Sequence, residues 1–133
     1  MPRAPQRMTA DLNVAFGHDR PWYSVCCDYM LEVAHMGLHV AQMTSQRGIR
    51  QCFDAVTVNA AKVMHLQGYG IAPGCDASFV LLQARDAVEA IRLRATRLKV
   101  YKHGKFLAQT QGNLVQLNLP ERSATTLFLS PGH

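Results

Sequence analysis

The apolar positions change period several times along the chain, and each change marks a predicted element. In LNVAFG, Leu12, Val14 and Phe16 alternate onto one face with the small Ala15 opposite, which predicts a short buried strand ending at Gly17. The preceding MPRAPQRMTAD mixes prolines with small and polar residues and reads as a frayed start or a loop into that strand. HDRPWYS follows as a strand-exit loop, interrupted by Pro21, with Ser24 placed to cap the next element. From Cys27 to about Met43, the residues Met30, Leu31, Ala34, Leu38 and Ala41 recur at helical spacing, while Glu32, His35, His39 and Gln42 fall largely on other sides. This predicts one long amphipathic helix ending near Thr44 and Ser45, with Gly37 lowering its local propensity.

A second helical stretch covers residues 49–66, with Arg47 and Gly48 as the preceding turn. Its pattern is not continuous, so two helices are expected, the second beginning at Thr57 and carrying Asn59, Ala60, Ala61, Val63 and Met64. GYGIAPGCD places three glycines and a proline within nine residues, a breaker cluster that divides the chain. Beyond it ASFVLL reads as a buried strand, QARDAVEAIRLRA as a helix with Ala87, Val88 and Ile91 inward, and RLKVYKH as an alternating strand. His103 and Gly104 fit a tight hairpin into KFLAQT. NLVQLNL repeats the alternation through Leu114, Leu117 and Leu119, and ATTLFLSPGH adds an edge strand.

Length and composition bound what this arrangement can be. The chain has 133 residues, too few for a complete (β/α)8 barrel of about 250. With 48% hydrophobic and 17% charged residues it can bury a core, which excludes disorder throughout. The net charge of +5 is uneven: residues 1–70 contribute +1 and residues 71–133 contribute +4. Arg92, Arg94, Arg97, Lys99, Lys102 and Lys105 supply most of the excess, but Tyr101 and Phe106 are too few for a base-stacking platform. A solvated strand-and-turn surface is expected, without a nucleic-acid partner. No apolar run reaches the roughly 18 residues of a membrane span and no signal-peptide core precedes Asp11, so a cytoplasmic chain without a membrane partner is expected. Cys26, Cys27, Cys52 and Cys75 lack CxxC spacing and are expected to be reduced and mostly buried.

Asp19 is the sharpest chemical candidate. An acid directly after a buried strand stands where α/β folds gather catalytic groups, and a carboxylate there can ligate a metal or accept a proton from metal-bound water. The same acid can equally cap the following turn or helix. Trp22 and Tyr23 lie just beyond, where a flat ring either covers a planar substrate or seals the end of a core. His35 and His39 have the i, i+4 spacing that can seat a zinc ion, but the intervening MGL supplies no glutamate base, and the flank of an amphipathic helix accounts for both. His65 near a helix end and His103 in the hairpin read as structural. No serine or cysteine has a context that nominates a base.

Three segments together, VAFGHD with PWY, MLEVAHMGLHVAQM, and NAAKVMHLQGYGIAPGCDASFVLL, resemble the carboxyl-terminal third of bacterial cytosine deaminases in the metal-dependent amidohydrolase family. The resemblance implies an α/β fold: the last strand and helices of a (β/α)8 barrel in residues 1–66, followed in residues 67–133 by the carboxyl-terminal part of a composite β-sandwich. It implies hydrolytic deamination of cytosine or a related ring amidine with release of ammonia, using a divalent Fe or Zn ion. Asp19 matches the family's metal-ligating and proton-shuttling aspartate, and Trp22 an aromatic beside the pyrimidine ring. Arg20 stands where the deaminases carry a second acid, which replaces an acceptor by a guanidinium. The family's metal histidines have no counterpart, since no HxH occurs. The resemblance therefore implies that the chain alone is inactive and holds no catalytic metal tightly, with a pyrimidine as substrate only in a complete enzyme. It would act with a complementing amino-terminal segment, as a homo-oligomer, or as a non-catalytic structural module derived from an amidohydrolase.

Overall fold

The structure is a computed structural model that describes residues 3–10, 12–17, 29–116 and 125–126. Helices α1 (Ala4–Thr9), α2 (Met30–Val40), α3 (Gln46–Val56) and α4 (Val58–Val63) precede strand β1 (Phe79–Leu82). Helix α5 (Ala87–Arg92) and strands β2 (Arg97–Lys102), β3 (Lys105–Gln109), β4 (Val115–Gln116) and β5 (Thr125–Thr126) complete the order.

Helix α1 replaces the frayed start expected at the amino terminus. Pro5 is tolerated in the first turn, where its missing N–H has no intrahelical partner, and the Thr9 hydroxyl closes the last turn onto the Pro5 and Gln6 carbonyls. The expected strand at 12–17 is likewise not a strand in the described residues: these residues spend their hydrogen bonds on helices, as detailed below. Alternation predicted the extended backbone, but a strand also needs a paired neighbour.

Helix α2 ends earlier than its apolar pattern suggests, because Gln42 takes a positive φ of 54° immediately after the Ala41 cap. Ser45 then caps α3, its hydroxyl accepting from the Gly48 amide at 3.0 Å. Gly48 thus lies inside the first turn of α3 rather than in a turn before it. The expected division at Thr57 is present: Thr57 leaves helical geometry with its hydroxyl donating to the Phe53 carbonyl at 2.8 Å, and α4 starts behind it.

The core is a three-helix packing. Leu31, Ala34 and Leu38 of α2, Ile49 and Cys52 of α3, and Ala90 and Ile91 of α5 form one buried cluster with Met43 and Ala95. The inward face of α5 matches expectation at Ile91, but Ala90 and Glu89 are buried as well. Glu89 is tolerable there because its carboxylate accepts from the Arg85 amide at 2.7 Å and the Arg85 guanidinium at 2.8 Å, while the Asp86 side chain caps the helix on the Glu89 amide. Helix α5 is shorter than the predicted stretch because this cap starts it at Ala87.

Strands β1, β2 and β3 form an antiparallel sheet in sequence order, and β4 pairs antiparallel with β5. Phe79, Tyr101 and Phe106 are aligned across the three strands, the first two rings stacked at 4.9 Å and the second pair edge-to-face at 5.6 Å. His103 and Gly104, both at positive φ, make the two-residue turn that the sequence predicted. Strand β1 is less buried than its composition implies, since Val80 and Leu81 are exposed. Among the described residues the sheets do not close into a barrel.

Candidate functional site

The segment leading towards Asp19 is fixed by the helices behind it. The Phe16 amide donates to the Ala55 carbonyl at 3.0 Å, using an acceptor in the last turn of α3 that has no partner within its own helix. The Asn59 side-chain amide donates to the Val14 carbonyl at 3.1 Å, and the Asn13 side chain donates to the Asn59 carbonyl at 3.2 Å. Two residues from one strand-like segment are thereby exchanged with one residue of α4.

The Phe16 ring lies against α2 at Gly37. A Cβ at Gly37 would meet Phe16 Cε2 at 2.5 Å and Cδ2 at 3.0 Å, so only a glycine admits the ring at this depth. Gly37, which weakens α2 as a helix, is thus the socket of the segment that precedes the HD loop. Sequence reasoning placed Gly37 and Asn59 on their helices and Phe16 on a strand that the structure does not show, and it missed that Phe16 meets Gly37 and that Asn59 meets Asn13 and Val14.

Asp19 and Trp22 lie outside the described residues, as do Tyr23, Cys26 and Cys27. The described histidines are placed elsewhere. His35 Nδ1 is 3.0 Å from the Ile91 carbonyl, tying α2 to the end of α5 together with the Tyr29 hydroxyl on the Ala95 carbonyl at 2.7 Å and the Arg94–Glu32 ion pair at 3.5 Å. His65 follows the end of α4 at positive φ, and its amide donates to the Lys62 carbonyl, as a helix-terminal role requires. His103 in the hairpin approaches Asp76 at 3.5 Å. Within the basic stripe, Arg94 pairs with Glu32 and the Arg97 guanidinium lies 4.5 Å above the Tyr29 ring centroid.

Cys52 and Glu89 depart from their ordinary titration for structural reasons. Burial pushes the Cys52 thiol up to about 11, so it is an inert core group rather than a nucleophile. The Arg85 contacts hold the Glu89 carboxyl below the usual glutamate range. Cys52 and Cys75 are both free thiols, the first buried and the second partly so. Among the described residues, no group of three or more His, Cys, Asp or Glu side chains is gathered to hold a metal ion. Those residues therefore do not by themselves fit a catalytic divalent metal, whose affinity and water activation depend on several converging ligands. No helix of the described residues is long and apolar enough to cross a membrane.

Comparison with known proteins places this framework. A sequence model of the Amidohydrolase family matches residues 2–108. The chain belongs to the amidohydrolase family. A search of curated proteins returned no match. Among solved structures, 5-methylcytosine deaminase from Klebsiella pneumoniae liganded with 5-fluorocytosine is similar at 30% identity and a TM-score of 0.76, over 90% of this chain and 30% of that one. The same enzyme liganded with phosphonocytosine aligns at 31% identity and a TM-score of 0.75, over 89% and 29%. N-isopropylammelide isopropylaminohydrolase from Burkholderia multivorans ATCC 17616 aligns at 26% identity and a TM-score of 0.75, over 82% and 29%. The amidohydrolase chain thus spans about 30% of the length of the solved relatives it matches.

Proposed function

We propose that this chain serves as the carboxyl-terminal part of a cytosine-deaminase-like amidohydrolase that releases ammonia from cytosine or a related ring amidine. In this reading Asp19 is the site carboxylate that would ligate a catalytic Fe or Zn ion, and Trp22 would flank the planar ring. Residues 1–66 supply the last strand position, the acid loop and the terminal helices. Residues 67–133 supply the carboxyl-terminal part of a β-sandwich, with α5 docking it onto α2 and α3.

The observation that carries the reading is the likeness to 5-methylcytosine deaminase, 30% identical over 90% of this chain. The fixation of residues 12–17 on Ala55, Asn59 and Gly37 supports it, because a catalytic carboxylate needs a rigid approach. Arg20 next to Asp19 changes the charge that substrate would meet, so cytosine and related ring amidines are to be assayed side by side. One carboxylate without partner ligands is a poor metal site, so the chain alone is proposed to be inactive.

The test is a chimera in which this chain replaces the matching carboxyl-terminal segment of the Klebsiella enzyme. A folded chimera that deaminates a pyrimidine, and loses that activity on Asp19→Asn, supports the reading. A folded, active chimera indifferent to Asp19→Asn opposes it. A second reading, a non-catalytic structural or oligomerisation module, is favoured by exposed apolar side chains at Val63, Met64, Leu66, Tyr69 and Ile71. Its signature is a discrete oligomer formed without any other chain.

A further inference from the structure

Helix α2 carries two histidines one turn apart, and their arrangement differs from two side chains merely sharing a helix flank. The His35 and His39 ring centroids are 4.6 Å apart, with the ring planes at 69°. His35 Nδ1 lies 3.0 Å from the Ile91 carbonyl oxygen. A carbonyl only accepts, so Nδ1 carries the proton, and in the neutral imidazole Nε2 is the unprotonated nitrogen with a free lone pair. Donation of the second ring N–H to a backbone carbonyl is the arrangement that fixes the tautomer and raises the basicity of metal-ligating histidines. Ile91 is fully buried in the core, so the carbonyl that holds the ring belongs to a rigid element. His39 is exposed and accessible to solvent ions.

The i, i+4 spacing and the 4.6 Å ring separation bring both imidazoles within reach of one cation. Imidazole suits borderline divalent cations, and among them Ni(II) stands high in the affinity order of nitrogen sites. Glu32 stands one turn before His35 and is ion-paired with Arg94 at 3.5 Å.

From this geometry we infer that His35 and His39 form a two-histidine chelate for a borderline divalent cation, with Ni(II) as the probe and water in the remaining positions. His35 is the preset ligand and His39 closes the chelate from the solvent side.

Equilibrium dialysis of the full untagged chain against Ni(II), followed by metal analysis, tests it. The chelate gives about one Ni(II) per chain. His39→Gln changes an exposed side chain and leaves the Ile91 contact in place, so it keeps its helical circular dichroism while weakening Ni(II) binding about tenfold or more. His65→Gln and His103→Gln bind as the wild type. The inference is overturned if the wild-type chain binds no stoichiometric Ni(II), if His39→Gln binds as the wild type, or if His65→Gln or His103→Gln causes the loss.

Discussion

Replacing Gly37 by alanine separates a helix effect from a packing effect at the base of the acid loop. In the interior of α2 the substitution gains about 1 kcal/mol of helix propensity. The new Cβ, however, would stand 2.5 Å from Phe16 Cε2, 3.0 Å from Cδ2 and 3.2 Å from Cζ, which forces the ring outwards. Overpacking of this sort costs about 1–3 kcal/mol. In the wild-type background the two effects leave Gly37→Ala between neutral and about 2 kcal/mol destabilising. In a Phe16→Ala background the obstacle is gone and the same substitution stabilises by about 1 kcal/mol. Urea unfolding of the four chains in this cycle therefore reads a coupling of about 1–3 kcal/mol between residues 16 and 37. Equal stabilisation by Gly37→Ala in both backgrounds would refute the socket, and with it the argument that α2 fixes the approach to Asp19.

Further consequences concern the caps, the loop anchor and the ionised core. Asn59→Ala removes the donor to the Val14 carbonyl, costs about 1 kcal/mol, and speeds hydrogen exchange at the Phe16 amide; unchanged exchange there contradicts the anchoring role. Ser45→Ala removes the acceptor for the Gly48 amide and lowers stability by about 1 kcal/mol in urea unfolding, while Ser45→Asp keeps most of it. Because the Arg85 contacts lower the Glu89 pKa in the folded chain, its contribution is complete above the usual value of 4.5 and is lost as pH falls through the lower folded value. Thermal melts of the wild type should thus weaken below about pH 4.5, and those of Glu89→Gln should show a shallower fall. Alkylation at pH 7.5 should modify Cys75 in the folded chain but reach Cys52 only after unfolding, given its burial and a thiol pushed up to about 11.

Local chemistry was legible where one residue type decides the backbone. His103–Gly104 specified the hairpin, the GYGIAPGCD cluster specified a break, and Thr57 specified the division between α3 and α4, all visible in the structure. What was hidden depended on partners distant in sequence. Residues 12–17 alternate like a strand, yet their hydrogen bonds go to Ala55 and Asn59, more than forty residues away. Helix α1 was concealed by Pro5, whose breaking tendency disappears in a first turn. The burial of Glu89 could not be read from AVEAIR, because it depends on Arg85 closing over it. At the candidate site, the resemblance named Asp19 and Trp22, while the structure contributes the scaffold leading to them: Phe16 in its Gly37 socket and Asn59 on Val14.

The central proposal is that this amidohydrolase chain contributes the Asp19 carboxylate to a deaminase site; among the described residues no group of three or more metal-ligating side chains is gathered. The most direct test is ammonia release from cytosine by the purified chain supplied with Fe(II) or Zn(II), followed in parallel by the ultraviolet change of the pyrimidine. The account predicts no ammonia above the buffer control. Metal-dependent turnover by the chain alone, abolished by Asp19→Asn, would contradict it.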